Sequence, residues 1–161
     1  MSNQQGNHVM QTRTRIISLK AASALVIAFG LLIALSSLPS AAAPTAFLLD
    51  LIFWPLDGGE NLAAPSSRLF AAISGGVMAG WGVLLWLLTT RLYRENPDLA
   101  RMLITASIGI WFVVDSLGSI AAGAMLNAAF NLVFLELFLV PLWYKAGAST
   151  APSKEGLGVN P

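Results

Sequence analysis

The stretch from Met102 to Trp143, MLITASIGIWFVVDSLGSIAAGAMLNAAFNLVFLELFLVPLW, decides the fold, because its 42 residues contain only two charged side chains, Asp115 and Glu136. As one continuous helix it would be about 63 Å long, roughly twice the thickness of the hydrocarbon core of a bilayer. It therefore predicts two membrane crossings joined by a tight turn. Residues with breaker character place that turn between Gly118 and Asn127.

Two further apolar segments precede this stretch. Leu69–Thr90 has no charge across 22 positions, and Ile16–Leu38 is interrupted only by Lys20, whose aliphatic stem lets its ammonium group reach the headgroups. The sequence therefore predicts an all-α membrane protein, a four-helix transmembrane bundle over residues 16–144, with disordered cytoplasmic tails at 1–15 and 145–161. The four predicted spans are Ile16–Leu38, Leu69–Thr90, Leu99–Ala121 and Met125–Tyr144.

Composition supports a lipid environment and excludes several classes of site. The chain is 56% hydrophobic and 11% charged, whereas a soluble domain carries about 25% charged residues. It has no cysteine, which excludes disulfides, thiolate metal sites and a cysteine nucleophile. The only histidine, His8, precedes the first span, so paired-histidine ligation of haem or metal inside the membrane is excluded. We expect no cofactor and, with a net charge of +1, no nucleic-acid partner.

The basic residues predict the orientation. If there are four spans, eight of the nine lysines and arginines fall on one side, and only Arg68 falls on the other, beside three acidic residues. Because Lys and Arg are retained in the cytoplasm during insertion, both termini are expected inside. The eight basic residues are Arg13, Arg15, Lys20, Arg91, Arg94, Arg101, Lys145 and Lys154.

The first span has a second interpretation as a signal peptide. Ala41 and Ala43 match a small-x-small cleavage site, and cleavage after Ala43 would leave three spans with an external amino terminus. The uncharged run Ala21–Leu38 is 18 residues long, which exceeds the 7–15 residues of a signal-peptide apolar region. The sequence therefore favours a retained membrane anchor.

The two loops contain local signals of their own. Thr45–Trp54 (TAFLLDLIFW) is apolar but too short to span, and we expect an interfacial helix in the external loop, capped by Thr45 and stopped by Pro55. In the inner loop, Asn96-Pro97 breaks the chain and Asp98 is expected to cap the next helix.

Asp115 and Glu136 are candidates for function because ionisable side chains inside a membrane are costly. Counted from Arg101, Asp115 lies about 21 Å deep, and Glu136 lies about 13 Å from Lys145, near the midplane. Different depths exclude a hydrolytic pair. One interpretation is that one or both are neutral acids that hydrogen-bond across the bundle; another is a proton or cation relay. A third is binding of a headgroup, a quinone or a partner.

Asn127 and Asn131 lie one helical turn apart on the fourth span. Asn131 is about 21 Å from Lys145, the depth of Asp115, which predicts an Asp115–Asn131 hydrogen bond between the third and fourth spans. Glu136 is rotated by about 140° from Asn131 and is therefore expected to face another helix or a neighbouring subunit. Trp111 shares a face with Asp115 and either lines a pocket with it or packs in the bundle.

Small residues in the second span predict close helix packing. Gly76-x-x-x-Gly80 and Gly75-x-x-x-Ala79 form two adjoining ridges that let another backbone approach. The same spacing recurs at Gly30 and Ala34. Packing within the chain is one interpretation of these ridges, and contact between copies is the other.

The layout of the chain resembles the small four-helix bacterial inner-membrane proteins of the DoxX-like kind. The features that carry the resemblance are a short basic tail, a long outer loop, Arg68 opening a glycine-rich helix (RLFAAISGG), a short charged inner loop and a last helix with Glu136. The resemblance covers about Ile16 to Tyr144 and implies a bacterial inner membrane and, for some members, an accessory role in redox systems. It carries over no functional residue.

We therefore expect a non-enzymatic integral membrane protein that serves as an accessory, assembly or scaffold subunit of a membrane complex. Its partners would be membrane lipid and either another copy or a heterologous membrane subunit. The first alternative is a small oligomeric transporter or channel that uses Glu136 or Asp115. The second is a lipid- or quinone-binding protein that uses the region of Trp111, Asp115 and Asn131.

Overall fold

The computed structural model describes residues 2–143, and within that range the chain forms helices and their connections without a β-strand. Four helical segments are long and apolar enough to cross a membrane, which confirms the predicted number of helices of membrane-spanning length: Thr12–Leu35, Pro65–Glu95, Pro97–Ala121 and Met125–Trp143. The helices are α1 (Ser2–Leu35), α2 (Ala43–Phe53), α3 (Pro65–Leu87), α4 (Tyr93–Glu95), α5 (Pro97–Ala121) and α6 (Met125–Trp143), with a 3-10 turn at Pro39–Ala41 and a π-helical segment at Leu88–Leu92.

The first helix is longer than its predicted span. It begins at Ser2 and so runs through most of the stretch 1–15 that the sequence predicts to be a disordered tail. The physical reason is that a helix already formed over an apolar span adds one hydrogen bond for each residue it gains, and glutamine and arginine are good helix formers. The predicted tail at 145–161, like Tyr144, lies outside the described residues.

Two predicted helix caps are wrong. α2 begins at Ala43, so Thr45 lies inside the helix with its side chain buried. α5 is capped by Asn96, whose side-chain oxygen accepts a hydrogen bond from the Leu99 backbone nitrogen at 3.1 Å. Asp98 instead accepts a hydrogen bond from Arg101 at 3.1 Å, one turn along the same helix.

The turn between α5 and α6 lies where the sequence predicts it. α5 ends at Ala121 and α6 begins at Met125, within the expected range of residues 118–127. Gly123 has a φ of 82°, a left-handed conformation that glycine adopts without a steric penalty. A connection this short forces α5 and α6 to pack side by side in opposite directions.

Helix α1 lies between α3 and α6 in the bundle. It packs along α3 on one side and α6 on another, while α5 packs along α6 and meets the π-helical segment. We call the end of the bundle that carries the α3–α5 connection the basic end, and the opposite end, with α2 and the α5–α6 turn, the loop end. The short helix α2 contacts α6 and α1 at the loop end.

The apolar core lies in the half of the bundle nearest the basic end. Its side chains come from the middle of α1, the end of α3, the short helix α4, the first half of α5 and the end of α6. The buried members are Leu19, Ala22, Val26, Leu85, Tyr93, Ala100, Ile104, Ile108, Phe138 and Leu142. The loop-end half of the α5–α6 interface is polar instead, and it forms the candidate site.

The loop after α2 is held by a buried carboxylate. Both oxygens of Asp50 accept hydrogen bonds from the Gly58 backbone nitrogen, at 3.0 and 3.1 Å. Gly58 has a φ of 74°, so the position favours glycine. The lone acidic residue of the apolar segment is therefore a structural anchor for the loop, on the side of α2 that faces the protein.

Candidate functional site

The candidate site is a cluster of polar side chains between α5 and α6. The tight turn after Ala121 reverses the chain, and polar residues on the last turns of α5 then lie opposite polar residues on the first turns of α6. We call this group the amide–carboxylate cluster; its members are Asp115, Ser116 and Ser119 on α5 and Asn127 and Asn131 on α6.

The central hydrogen bond joins Asn131 to Asp115. The Asn131 Nδ2 group donates to Asp115 Oδ2 at 2.7 Å and also lies 3.2 Å from Ser116 Oγ. Asn131 is 4% exposed, so its amide cannot form hydrogen bonds outside the protein. Buried polar groups are normally hydrogen-bonded, and Asp115 and Ser116 supply the acceptors. The hydrogen bond predicted from equal helix depth is confirmed.

Asn127 extends the cluster towards the loop end. Its Nδ2 group donates to Ser119 Oγ at 2.8 Å and lies 3.3 Å from Asp115 Oδ2. Ser116 and Ser119 were missed by the sequence analysis. The signal for Ser119 was present, because it lies four residues after Asp115 and therefore on the same face of α5.

The chemistry of the cluster is that of a hydrogen-bond acceptor held by two amide donors. Asp115 Oδ2 receives both donors, while Oδ1 receives no hydrogen bond from any residue in the described range 2–143. The Asp115 side chain is half-buried and forms no ion pair within that range. Among these residues no group of three histidine, cysteine, aspartate or glutamate side chains is placed to hold a metal ion.

Glu136 does not join the cluster. Its side chain is exposed on α6, and neighbouring side chains on the same outward surface, Val133 and Val140, are 56% and 55% exposed. Within residues 2–143 it has no hydrogen bond and no ion pair. As expected from the helical rotation, Glu136 points away from Asn131, and it also points away from the bundle.

Trp111 belongs to an aromatic cluster that joins the helices near the middle of the bundle. Its ring centroid lies 5.6 Å from that of Trp81 on α3 and 6.2 Å from that of Phe134 on α6. Phe134 in turn lies 6.0 Å from Phe29 on α1. The indole nitrogen of Trp81 donates to Ser107 Oγ at 2.6 Å, which links α3 to α5. The packing interpretation of Trp111 is the one this geometry supports.

The two small-residue ridges of α3 have different surroundings. A Cβ atom on Gly75 would overlap the backbone of Gly30 and Ala34, and a Cβ on Gly30 would overlap Ala79, so the backbones of α1 and α3 are in direct contact along this ridge. A Cβ on Gly76 or Gly80 would have nothing within 4 Å. Only the ridge of Gly75 and Ala79 therefore serves packing within the chain.

A second polar region at the basic end was not predicted from the sequence. The π-helical segment contains Thr89, and Tyr93 follows it; both are buried, and neither hydroxyl has a hydrogen-bond partner within the described residues. Lys20 Nζ lies 4.7 Å from the centroid of the Trp86 ring. Single π-helical turns are common near functional positions in helical proteins. Packing between helices decides where a π-helical turn forms, so no residue pattern in the sequence predicts it.

Comparison with known proteins gives no identity. No family model, no curated protein and no solved structure matches the chain. The resemblance to DoxX-like proteins is therefore supported only in the coarse sense that the described residues contain four helices of membrane-spanning length.

Proposed function

We propose that the protein is a non-enzymatic subunit of a membrane complex and that it binds another membrane component through the outward side of α6. The observation that carries the proposal is Glu136, which is exposed on a helix of membrane-spanning length and has no ion pair with any described residue. An ionisable side chain near the centre of a membrane helix costs about 2.5–3.5 kcal/mol, and such residues normally face the interior of a bundle. A partner that covers Glu136 would remove this cost.

The arrangement of the two carboxylates favours binding over catalysis. Asp115 faces the α5–α6 interface and is held by Asn131, whereas Glu136 points outward from α6. An acid–base pair requires both groups within reach of one reacting bond. These two groups face different surroundings, so they support no shared chemistry.

We place the bundle in a bacterial inner membrane with both termini in the cytoplasm. The basic residues near the start of α1 and in the α3–α5 connection support this orientation, as does the even number of spans. The helix α2 would then lie at the outer surface of the bilayer, with Phe47 and Trp54, which are 59% and 63% exposed, at headgroup level. The chain has no cysteine, so single introduced cysteines would report each side by labelling of intact cells.

Photo-crosslinking in intact membranes tests the proposed function. A photoreactive amino acid is placed at Val133 or Val140 on the outward side of α6, and at Ile110 or Val114 on the outward side of α5 as matched controls, since these are 68% and 66% exposed. We expect a discrete adduct with a different protein from the α6 positions and adducts with lipid alone from the α5 positions. Lipid adducts alone at all four positions would contradict the proposal.

A second candidate is a small oligomeric transporter or channel. It is favoured by the half-buried Asp115, whose Oδ1 atom accepts no hydrogen bond from the described residues and is therefore available to a proton or cation. Purified protein in vesicles with a trapped pH dye would show Asp115-dependent proton flux. If Asp115→Asn leaves the proton flux unchanged, transport through Asp115 is excluded; an α6 adduct with a second copy would strengthen the candidate.

A further inference from the structure

The outward side of α6 has a defined composition. Glu136 lies at its centre, with aliphatic side chains one turn on either side, and the spacing of these residues alternates between three and four. We call this surface the α6 outer face; its members are Ala129, Val133, Glu136 and Val140, all exposed. Trp143 follows in the same row, but its indole nitrogen donates to Thr105 Oγ1 on α5 at 3.0 Å. This spacing suits a neighbouring helix that crosses at about +20°, the commonest packing in membranes.

Among the residues that the structure describes, no lysine or arginine forms an ion pair with Glu136. Lys20 is the basic residue that lies deepest in a membrane-length segment, eight residues after Thr12, and its Nζ atom lies over the Trp86 ring of the same chain. Arg101 is paired with Asp98. A second copy docked through the same face would bring two carboxylates together, since a two-fold interface places equivalent residues close to each other. Charge complementarity therefore favours a different molecule over a second copy docked through the same face.

We propose that the α6 outer face binds a transmembrane helix of a different membrane protein that carries a lysine or arginine at the depth of Glu136. The inference rests on the proposed function and adds the chemistry of the partner. A cation gives charge-assisted hydrogen bonds, which are about twice as strong as neutral ones, and each charge relieves the membrane cost of the other. The aliphatic residues on either side of Glu136 would pack against aliphatic or small residues of the partner helix.

A synthetic helix provides a defined probe. The peptide is a leucine–alanine helix of about 22 residues with one central lysine, and its matched control has leucine at that position. A central lysine lies at the same depth whichever way the peptide inserts. Because Glu136 is expected near the midplane, the lysine can reach it in both orientations. The full chain carries a donor dye on an introduced Glu60→Cys in the exposed loop. Energy transfer to labelled peptide is measured in vesicles of phosphatidylethanolamine and phosphatidylglycerol.

The expected result is a preference of about tenfold or more for the lysine peptide over the leucine peptide. Glu136→Leu should abolish the preference, and Glu136→Lys should transfer it to a peptide with a central glutamate. The matched control is Ile110→Glu in the Glu136→Leu background, because Ile110 is 68% exposed and, nine residues after Arg101, has the same depth on α5. This control should not restore the preference for lysine.

Three outcomes would overturn the inference. The first is equal binding of the two peptides by the wild-type chain. The second is restoration of the preference by Ile110→Glu, which would mean that any exposed carboxylate suffices. The third is Glu136-dependent energy transfer between two copies of the chain, which would make a second copy the occupant. Glu136 points away from the bundle, so we expect the Glu136 variants to keep the helical circular dichroism spectrum of the wild type. Glu136→Gln, which has nearly the same shape as the wild-type side chain, is the control for loss of the carboxylate without a change of size.

The proposed function can fail separately. If cross-links from Val133 and Val140 identify a different protein but the lysine peptide is not preferred, only the chemistry assigned to the partner is wrong. If neither α6 position gives a protein adduct, the proposed function itself is wrong.

Discussion

The interior of the bundle and its outward surface contain chemically matched residues with opposite surroundings. Asp115 lies at the α5–α6 interface and accepts hydrogen bonds from two amides, whereas Glu136 is exposed without a partner in the described range. Gly75 touches the backbone of α1, whereas a Cβ atom added to Gly76, the next residue, would have nothing within 4 Å. The comparison teaches that the residue type predicts that a side chain or glycine will make a contact. The direction in which the residue faces on its helix decides whether the contacting group belongs to the same chain.

The glycine pair provides the largest expected effect. Gly75→Ala would place a methyl group on the backbone of α1, and we expect a loss of roughly 3 kcal/mol in the free energy of unfolding, because backbone atoms cannot move aside as a flexible side chain can. Gly76→Ala is the matched control and should stay within about 0.5 kcal/mol of wild type. Reversible unfolding in mixed detergent micelles measures both. Equal effects would show that the two ridges do not differ.

The carboxylate pair provides the next effect. Asp115→Leu removes the closer of the two acceptors of the Asn131 amide and leaves only Ser116 Oγ at 3.2 Å, and we expect a loss of about 1–2 kcal/mol in the free energy of unfolding. Asp115→Asn keeps an acceptor oxygen and should lose less. Glu136→Leu should not destabilise the isolated chain, because its side chain has no partner within residues 2–143. A loss of stability in Glu136→Leu as large as that in Asp115→Leu would remove the distinction between the two carboxylates.

The two asparagines sharpen the comparison within the cluster. Asn131 is 4% exposed and makes the 2.7 Å hydrogen bond, whereas Asn127 is half-buried and lies 3.3 Å from the carboxylate. We expect Asn131→Ala to cost about 1 kcal/mol and Asn127→Ala about half as much. The same unfolding measurement orders them, and the reverse order would mean that Ser119 rather than Asp115 is the important partner of the amides.

The smallest expected effect concerns the link between α3 and α5. Trp81→Phe keeps an aromatic ring beside Trp111 but removes the hydrogen bond to Ser107, and we expect a cost of about 0.6 kcal/mol, the average for such bonds in membranes. Ser107→Ala should cost a similar amount, and the double variant should cost no more than about the larger single effect. Additive losses would show that the two side chains stabilise the bundle independently.

Several features follow from properties of a single helix. Four runs of apolar residues of sufficient length fix the number of membrane-length helices, and Gly123 marks the turn between the last two. Equal counts from Arg101 and Lys145 place Asp115 and Asn131 at one depth, and the structure has them in contact. Rotation by 100° per residue separates Glu136 from Asn131. Length, depth and rotation are local quantities, so the order of residues along the chain is sufficient to give them.

Other features depend on how the helices meet, and the sequence leaves them open. Gly75 and Gly76 are equivalent in residue type, and only the orientation of α3 against α1 makes one of them a contact. The contact of Trp81 with Ser107 joins residues that are 26 apart along the chain. The π-helical segment and the Asp50–Gly58 hydrogen bonds are likewise set by how segments fold against one another and not by residue type. The physical reason is that each helix presents several acceptable faces to its neighbours, and only the simultaneous packing of all four selects one.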